Sequence, residues 1–111
     1  MPTHEFGIMP KAPAARERFD RYEPQKYDCI AVDDAWIAPI LTELNGLDCC
    51  WHTLQRPEKG IAYWGITLIP PQSMAGFLRV LSLRNRKEYI PLMALLNAAK
   101  GDGRYVIHFG I

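Results

Sequence analysis

The stretch DCCWHTLQRPEKGIAYWGITLIPP, residues 48–71, decides the fold. Two runs within it, residues 48–55 and 60–69, read as strands. The segment RPEKG between them has proline early and glycine last, as a hairpin loop does. Pro70 and Pro71 end the second run, and proline is well tolerated in the first turn of a helix. The stretch therefore predicts a β-hairpin that is followed directly by a helix.

The sequence on either side extends this order of elements. Residues 28–32, DCIAV, read as a compact apolar strand. Residues 34–44 carry an apolar stripe at helical spacing, which Asp33 and Asp34 would cap and Pro39 would distort. A further helix is predicted over residues 88–100, where Gly101 would end it, and a last strand over residues 104–111. From residue 28 onward the order is β-α-β-β-α(α)-β.

This order is typical of an α+β fold with a ferredoxin-like split βαβ (βαββαβ) sheet. Right-handed crossovers would place strands 28–32 and 60–69 side by side in the centre, with the helices on one face. An extra strand is predicted at residues 3–9. The length favours a single domain over residues 1–111, divided into residues 1–27, an N-terminal strand and charged arm, and residues 28–111, the βαββααβ core.

The arm and the second face of the sheet are connected in this interpretation. Residues 10–27 are bounded by prolines and rich in charge, with a short helix indicated near residues 14–22. Strand 60–69 is apolar on both faces, so the face away from the helices also needs a cover. That cover would be the arm, a second copy of the chain or a ligand.

Composition limits the classes of partner. The 13 Lys and Arg residues balance 12 Asp and Glu, giving a net charge of +1, which argues against nucleic acid or a membrane as partner. Three cysteines, two of them adjacent, allow no disulfide framework and favour a reducing compartment. No signal peptide or membrane-spanning run is visible, so we expect a cytoplasmic protein.

Two similar strings, HEFGI at 4–8 and HFGI at 108–111, raise the question of a paired histidine site. When Phe6 is aligned with Phe109, the extra residue Glu5 puts His4 and His108 out of register. If both phenylalanines face one core, the two imidazoles point to opposite sides of the sheet. The strings are therefore interpreted as two strands rather than as one site.

The string CCWH at 49–52 is the most metal-like in the chain. On a strand Cys50 and His52 share a face, and a thiolate with an imidazole suits zinc or an activated thiol. A closed zinc site needs two more ligands, and no second C-x-x-C or H-x₃-H is present. We expect no metal and no other cofactor, and the cysteines are better interpreted as small buried hydrophobes.

The string KGIAYWGI at 59–66 resembles the RNP1 motif of RNA-recognition domains at Lys59, Gly60 and Tyr63. Ile61 and Ile66 stand where that motif has base-stacking aromatics. The side chains that would stack on RNA bases are therefore missing, and no nucleic-acid partner is expected.

The sequence favours a non-enzymatic protein-interaction or oligomerising module, with a second copy or another protein as partner. An immunity or antitoxin-type role is one form of it, because the chain is small and has no catalytic signature. The alternative is a small-molecule-binding domain or small enzyme with its pocket between the open sheet face and the 10–27 arm. No catalytic residue is assigned. The ligand or interface candidates are His52, Cys50, Tyr63, Trp64, Trp51, Glu23, His4, His108, Arg56 and Lys59.

The strings HEFGIM, HTLQRPEKGIAYWGITLIPP and VIHFGI resemble segments of a family of small uncharacterised bacterial proteins. The resemblance covers most of the chain and carries no activity with it. It implies a bacterial cytoplasmic setting and transfers no site residue.

Overall fold

One antiparallel sheet of six strands organises the protein in a computed structural model, which describes residues 2–111. The strands are β1 (Thr3–Ile8), β2 (Ile30–Asp33), β3 (Asp48–Trp51), β4 (Pro57–Lys59), β5 (Ile66–Ile69) and β6 (Val106–Phe109). Their order across the sheet is β2-β1-β6-β5-β3-β4, and every neighbouring pair is antiparallel. The predicted α+β class is confirmed.

The helices lie in the two connections that the sequence assigned to them. They are α1 (Asp34–Ile37), α2 (Leu41–Leu44), α3 (Met74–Arg84) and α4 (Ile90–Asp102). A 3₁₀ turn at Ala38–Ile40 separates α1 from α2, since Pro39 cannot donate the hydrogen bond that would continue the helix. Helix α4 runs past Gly101 and ends at Gly103, whose φ is +63°.

The strand order differs from that of a split βαβ sheet, so the ferredoxin-like arrangement is not confirmed. Strand β2, which was expected in the centre beside residues 60–69, lies at an edge and pairs only with β1. Strand β1, which was expected as an addition to the sheet, instead pairs centrally with β6. Strands β1 and β6, the first and the last in the described residues, therefore pair with each other in the middle of the sheet.

The expected hairpin is also shifted along the chain. Residues 57–59, expected in the loop, form the edge strand β4, and the loop comprises residues 52–56. The cause is His52, whose positive φ of 66° ends β3 after Trp51. Gly60 and Gly65 have positive φ angles of 79° and 121°, which interrupt the extended backbone. Strand β5 therefore keeps only residues 66–69 of the expected strand.

Both faces of the sheet are buried. On one face, Phe6, Ile69 and Val106 pack against the helices. On the other face, a second cluster contains Met9, Tyr27, Ile66, Leu68, Ile107 and Phe109, with Phe19 of the arm packed against it. The arm thus supplies the cover that the sequence required, without the short helix expected near residues 14–22.

Candidate functional site

The two histidines that were expected on opposite sides of the sheet are in contact. His4 Nδ1 lies 2.9 Å from His108 Nε2, and both side chains are fully buried. The expectation was wrong because its premise fails. Phe6, which is paired with His108 in the register, faces the helices, whereas Phe109 faces the arm. Because each face of the sheet has its own core, Phe6 and Phe109 point to opposite faces. The imidazoles of His4 and His108 then point to the same face.

An acidic side chain closes one end of the histidine pair. His4 Nε2 lies 2.8 Å from Asp34 Oδ1, and the Tyr63 hydroxyl donates to Asp34 Oδ2 at 2.9 Å. Asp33, the neighbouring carboxylate, caps α1 by accepting from the Ala35 amide. The two aspartates that were interpreted together as caps therefore have separate roles.

Thr67 closes the other end of the pair. Its Oγ1 lies 3.3 Å from His108 Nδ1 and accepts from the Ala62 amide at 2.8 Å. One assignment of hydrogens satisfies every group. The Thr67 hydroxyl donates to His108, His108 donates through Nε2 to His4, and His4 donates through Nε2 to Asp34. We call Tyr63, Asp34, His4, His108 and Thr67 the histidine network.

Burial disfavours a charge on His108 within the histidine network. Burial lowers the pKa of His108 well below its usual value, and the neighbouring His4 lowers it further. The Asp34 side chain is 19% exposed, so the network meets solvent at its acidic end. Because both rings are buried, the network can hold or pass a proton. It also joins strands β1, β5 and β6 to helix α1 and to the 60–65 loop.

A cleft of about 440 Å³ lies on the opposite face of the sheet, between the strands and the arm. Its lining is formed by Thr3, Glu5, Asp20, Tyr22, His52, Gly65, Ile66, Phe109, Gly110 and Ile111. Side chains alternate across a strand, so Glu5 faces this cleft while its neighbour His4 faces the helices. A cleft of this size suits a small organic molecule.

His52 joins the arm to the sheet at the wall of the cleft. Its carbonyl accepts from the Phe19 amide at 2.7 Å, and its Nδ1 lies 3.0 Å from both the Phe19 carbonyl and Asp20 Oδ1. These acceptors place the ring hydrogen on Nδ1. Nε2 therefore carries the lone pair, to which the Ile66 amide donates at 3.4 Å.

The backbone of His52 is held in a conformation that costs energy. A φ of 66° is left-handed and uncommon for residues other than glycine. Gly65 lies close to the ring, and a Cβ at that position would come within 2.8 Å of His52 Nε2. The imidazole is thus wedged between the arm and a glycine that leaves it room.

Two hydrogen-bonded carboxylates also line the cleft. The Tyr22 hydroxyl donates to Glu5, and the Tyr22 ring packs edge-on against Phe109 at 5.5 Å between centroids. Asp20 accepts from Arg18 through both oxygens, at 2.8 and 3.2 Å. The hydrogen bond to Glu5 raises the pKa of Tyr22 above its usual value.

Five of the ten candidate residues lie in the cleft, in the histidine network or in the loop between them. His52 lines the cleft, and His4, His108 and Tyr63 belong to the histidine network. Trp64 is 76% exposed in the 60–65 loop, directly before the cleft residue Gly65. These five candidates come together around the same region of the sheet, on its two faces.

The other candidates lie elsewhere. Trp51 donates to the Gly60 carbonyl under the Arg56 guanidinium, and Arg56 also pairs with Glu58. Lys59 pairs with Asp48 across the β3–β4 ladder.

Cys50 and Glu23 also lie outside the cleft. Cys50 lines a different hollow beside Tyr105, with its pKa raised by burial. Glu23 lines another hollow, beside the arm, with Arg18 and Lys26. The cleft lies between the sheet and the arm, the place named in the alternative hypothesis. Of the ten candidates, only His52 lines it.

Residues 2–111 contain no group of three or more His, Cys, Asp and Glu side chains arranged to hold a metal ion. Cys50 and His52 no longer share a strand face, because β3 ends at Trp51.

Sequence reasoning missed Glu5, Asp20, Tyr22, Asp34 and Thr67. Each is a common polar residue with no motif around it, and its partner lies far along the chain. One signal was available for the histidine network. The run VIHF at 106–109 is buried throughout, and an unbroken apolar run around a histidine is typical of a strand covered on both faces.

No family model matches the chain, and no curated protein or solved structure is significantly similar to it. The resemblance to small bacterial proteins stays a prediction. Within residues 2–111, no helix has the length and apolar character needed to cross a membrane.

Proposed function

We propose that the protein binds a small organic molecule in the cleft between the arm and the sheet. The observation that carries this proposal is the position of His52. Its strained backbone and its ring form the wall of a cleft of about 440 Å³. Strained residues cluster at ligand-binding and active sites, where the surrounding structure is built to hold them.

The wall and floor of the cleft support this function. Ile66 and Phe109 give an apolar floor, while Glu5, Asp20 and His52 give a few polar groups at its sides. A mostly apolar pocket with a few fixed polar groups is the usual form of a small-molecule site. The two bonds between His52 and Phe19 hold the arm in place, so the cleft is formed before a ligand arrives.

A screen of small fragments by two-dimensional ¹H–¹⁵N NMR tests this function. We expect binders to shift the amides of Gly65 and Gly110, which line the cleft from two different segments. Replacing Thr3 by Phe fills the cleft from β1 and should abolish these shifts. Replacing the exposed Thr42 of α2 by Phe is the matched control and should leave them unchanged. Fragments that shift only the hollow around Cys50 and Tyr105, or no residue at all, would contradict the proposal.

A protein-interaction function is the second candidate, and the exposure of aromatic side chains favours it. Trp64 is 76% exposed and Tyr22 is 66% exposed, and large aromatics are enriched at the centres of interfaces. The partner would be a second copy or another protein. Native mass spectrometry of the protein purified without a chelator distinguishes the candidates. A dimer that Trp64→Ala dissociates would favour interaction, whereas a monomer carrying added small-molecule mass would favour the cleft.

A further inference from the structure

We propose that the ligand of the cleft is a small organic ammonium ion, with its charged head against Glu5 and Tyr22 and its apolar body on Phe109 and Ile66. This inference rests on the proposed function and names the chemical class that the cleft accepts. Three features of the lining support it: the shortage of hydrogen-bond donors, the unpaired negative charge of Glu5 and the aromatic ring of Tyr22 beside that charge.

All but one of the side-chain hydrogen-bond donors in the lining are already engaged. The Tyr22 hydroxyl donates to Glu5, and His52 Nδ1–H is directed at the Phe19 carbonyl and Asp20. Ionised carboxylates only accept, and the other nitrogen of His52 carries a lone pair. Thr3 is the one lining side chain that retains a donor of its own. A ligand must therefore bring donors, as an ammonium group does with its N–H bonds.

The charge of the lining is unbalanced at one residue. Asp20 is neutralised by Arg18, which donates to both of its oxygens. Glu5 accepts from Tyr22, and within residues 2–111 no Lys, Arg or His nitrogen lies within 4 Å of its carboxylate. The negative charge of Glu5 also acts on the Cys29 thiol. Burial is the larger cause, and Glu5 the next, of the rise in the pKa of Cys29 to about 12. An ammonium head would balance this charge, and an anionic ligand would add to it.

Aromatic surface lies beside the Glu5 carboxylate. The Tyr22 ring is held edge-on by Phe109 and is 66% exposed, so its face remains open to a cation. A cation over such a face gains a further attraction from the ring quadrupole. A carboxylate flanked by an aromatic ring, above an apolar floor, matches an ammonium group that carries a hydrocarbon body.

Three probes of similar size and different charge test the class: 2-phenylethylammonium, phenylacetate and 2-phenylethanol. Each is titrated into ¹⁵N-labelled protein, and the shifts of the Gly65 and Gly110 amides report binding in the cleft. We expect the ammonium probe to bind at least about tenfold more tightly than the other two. Glu5→Gln keeps the size and an acceptor for Tyr22 and should remove this preference. Glu88→Gln on the helical side is the matched control and should keep it.

The outcomes separate this inference from the proposed function. If phenylacetate or the alcohol binds in the cleft as tightly as the ammonium ion, or if Glu5→Gln retains the preference, the ammonium class is wrong while the cleft remains a site. If no probe moves the Gly65 or Gly110 amide, and the fragment screen moves neither, both fail. Tyr22→Phe provides a second variant, because it leaves the carboxylate in place and should hold the ammonium affinity within about threefold.

Discussion

The Nε2 atom of His108 lies 2.9 Å from the Nδ1 atom of His4, although 104 residues separate the two in the sequence. Both rings are fully buried, and Asp34 and Thr67 occupy the two outer ends of the pair. A buried polar chain of this kind is stabilising only while every member has its partner, since an unpaired buried group costs more than a formed hydrogen bond gains.

Acid should destabilise the protein through His108. Its folded-state pKa is lowered from the usual 6.5 by burial and by His4. Below pH 6.5 the unfolded chain therefore binds a proton that the folded chain does not bind, and stability falls as the pH decreases through this range. The slope approaches about 1.4 kcal/mol per pH unit for one group. Urea unfolding at pH values from 5 to 8 measures it.

The variant His108→Gln isolates this effect. Its stability should vary less between pH 5 and pH 7 than that of the wild type. Equal pH dependence in His108→Gln and the wild type would show that His108 is not neutral in the fold.

Removing Asp34 should destabilise more than removing the hydroxyl that donates to it. Asp34→Ala leaves the Nε2–H of His4 buried without an acceptor, which costs about 1–3 kcal/mol. Tyr63→Phe removes a hydrogen-bond donor to Asp34 that water can replace, so this variant should lose less stability than Asp34→Ala. In a double-mutant cycle, Tyr63→Phe should cost almost nothing once Asp34 is alanine. Additive losses would mean that the two groups do not share the hydrogen bond.

Gly65 and Gly101 should respond to alanine in opposite directions. Gly65 has a φ of 121°, and its Cβ would lie 2.8 Å from His52 Nε2 and strain both residues, at a cost of about 1–3 kcal/mol. Gly101 lies inside α4 with open space around it, so Gly101→Ala should stabilise by about 0.5–1 kcal/mol. Thermal unfolding measures both, and a stable Gly65→Ala protein would contradict the wedged placement of His52.

The native thiols should react slowly with alkylating reagents. Burial raises the pKa of Cys49 from 9.0 to about 12, with smaller contributions from Cys50 and Asp48. The thiolate is the reactive form, so alkylation of Cys49 at pH 8 should be roughly a thousandfold slower than in the unfolded chain. Iodoacetamide labelling followed by peptide mass spectrometry measures each cysteine separately, in buffer and in urea. Rapid labelling of Cys49 in buffer would indicate local opening of β3.

Local patterns predicted the parts of the fold that depend on local rules. The helix after Pro70 and Pro71, the broken helix at Pro39 and the last strand follow from proline geometry and apolar spacing. The end of β3 could not be predicted in this way. It depends on a histidine in a left-handed conformation, which is stabilised by Phe19 and Asp20 from the arm.

The site was predicted only in part for a related reason. A pocket between the arm and the sheet was the alternative hypothesis, and His52 was one of the ten ligand or interface candidates. The meeting of His4 and His108 was not expected, because the alignment of their strands assumed one core where there are two. Which face a strand residue occupies depends on its pairing register, and that register is set by a partner far along the chain.

The pairing of β1 with β6 has a consequence for how the protein is made. During synthesis β1 leaves the ribosome about a hundred residues before its central partner β6. Until then β1 and β5 each present an open edge to other nascent chains, a state that invites intermolecular pairing. Completion of the sheet must therefore wait for β6, and such distant pairing is intrinsically slow. The yield of soluble protein should depend on temperature and on chaperones more than its final stability would suggest.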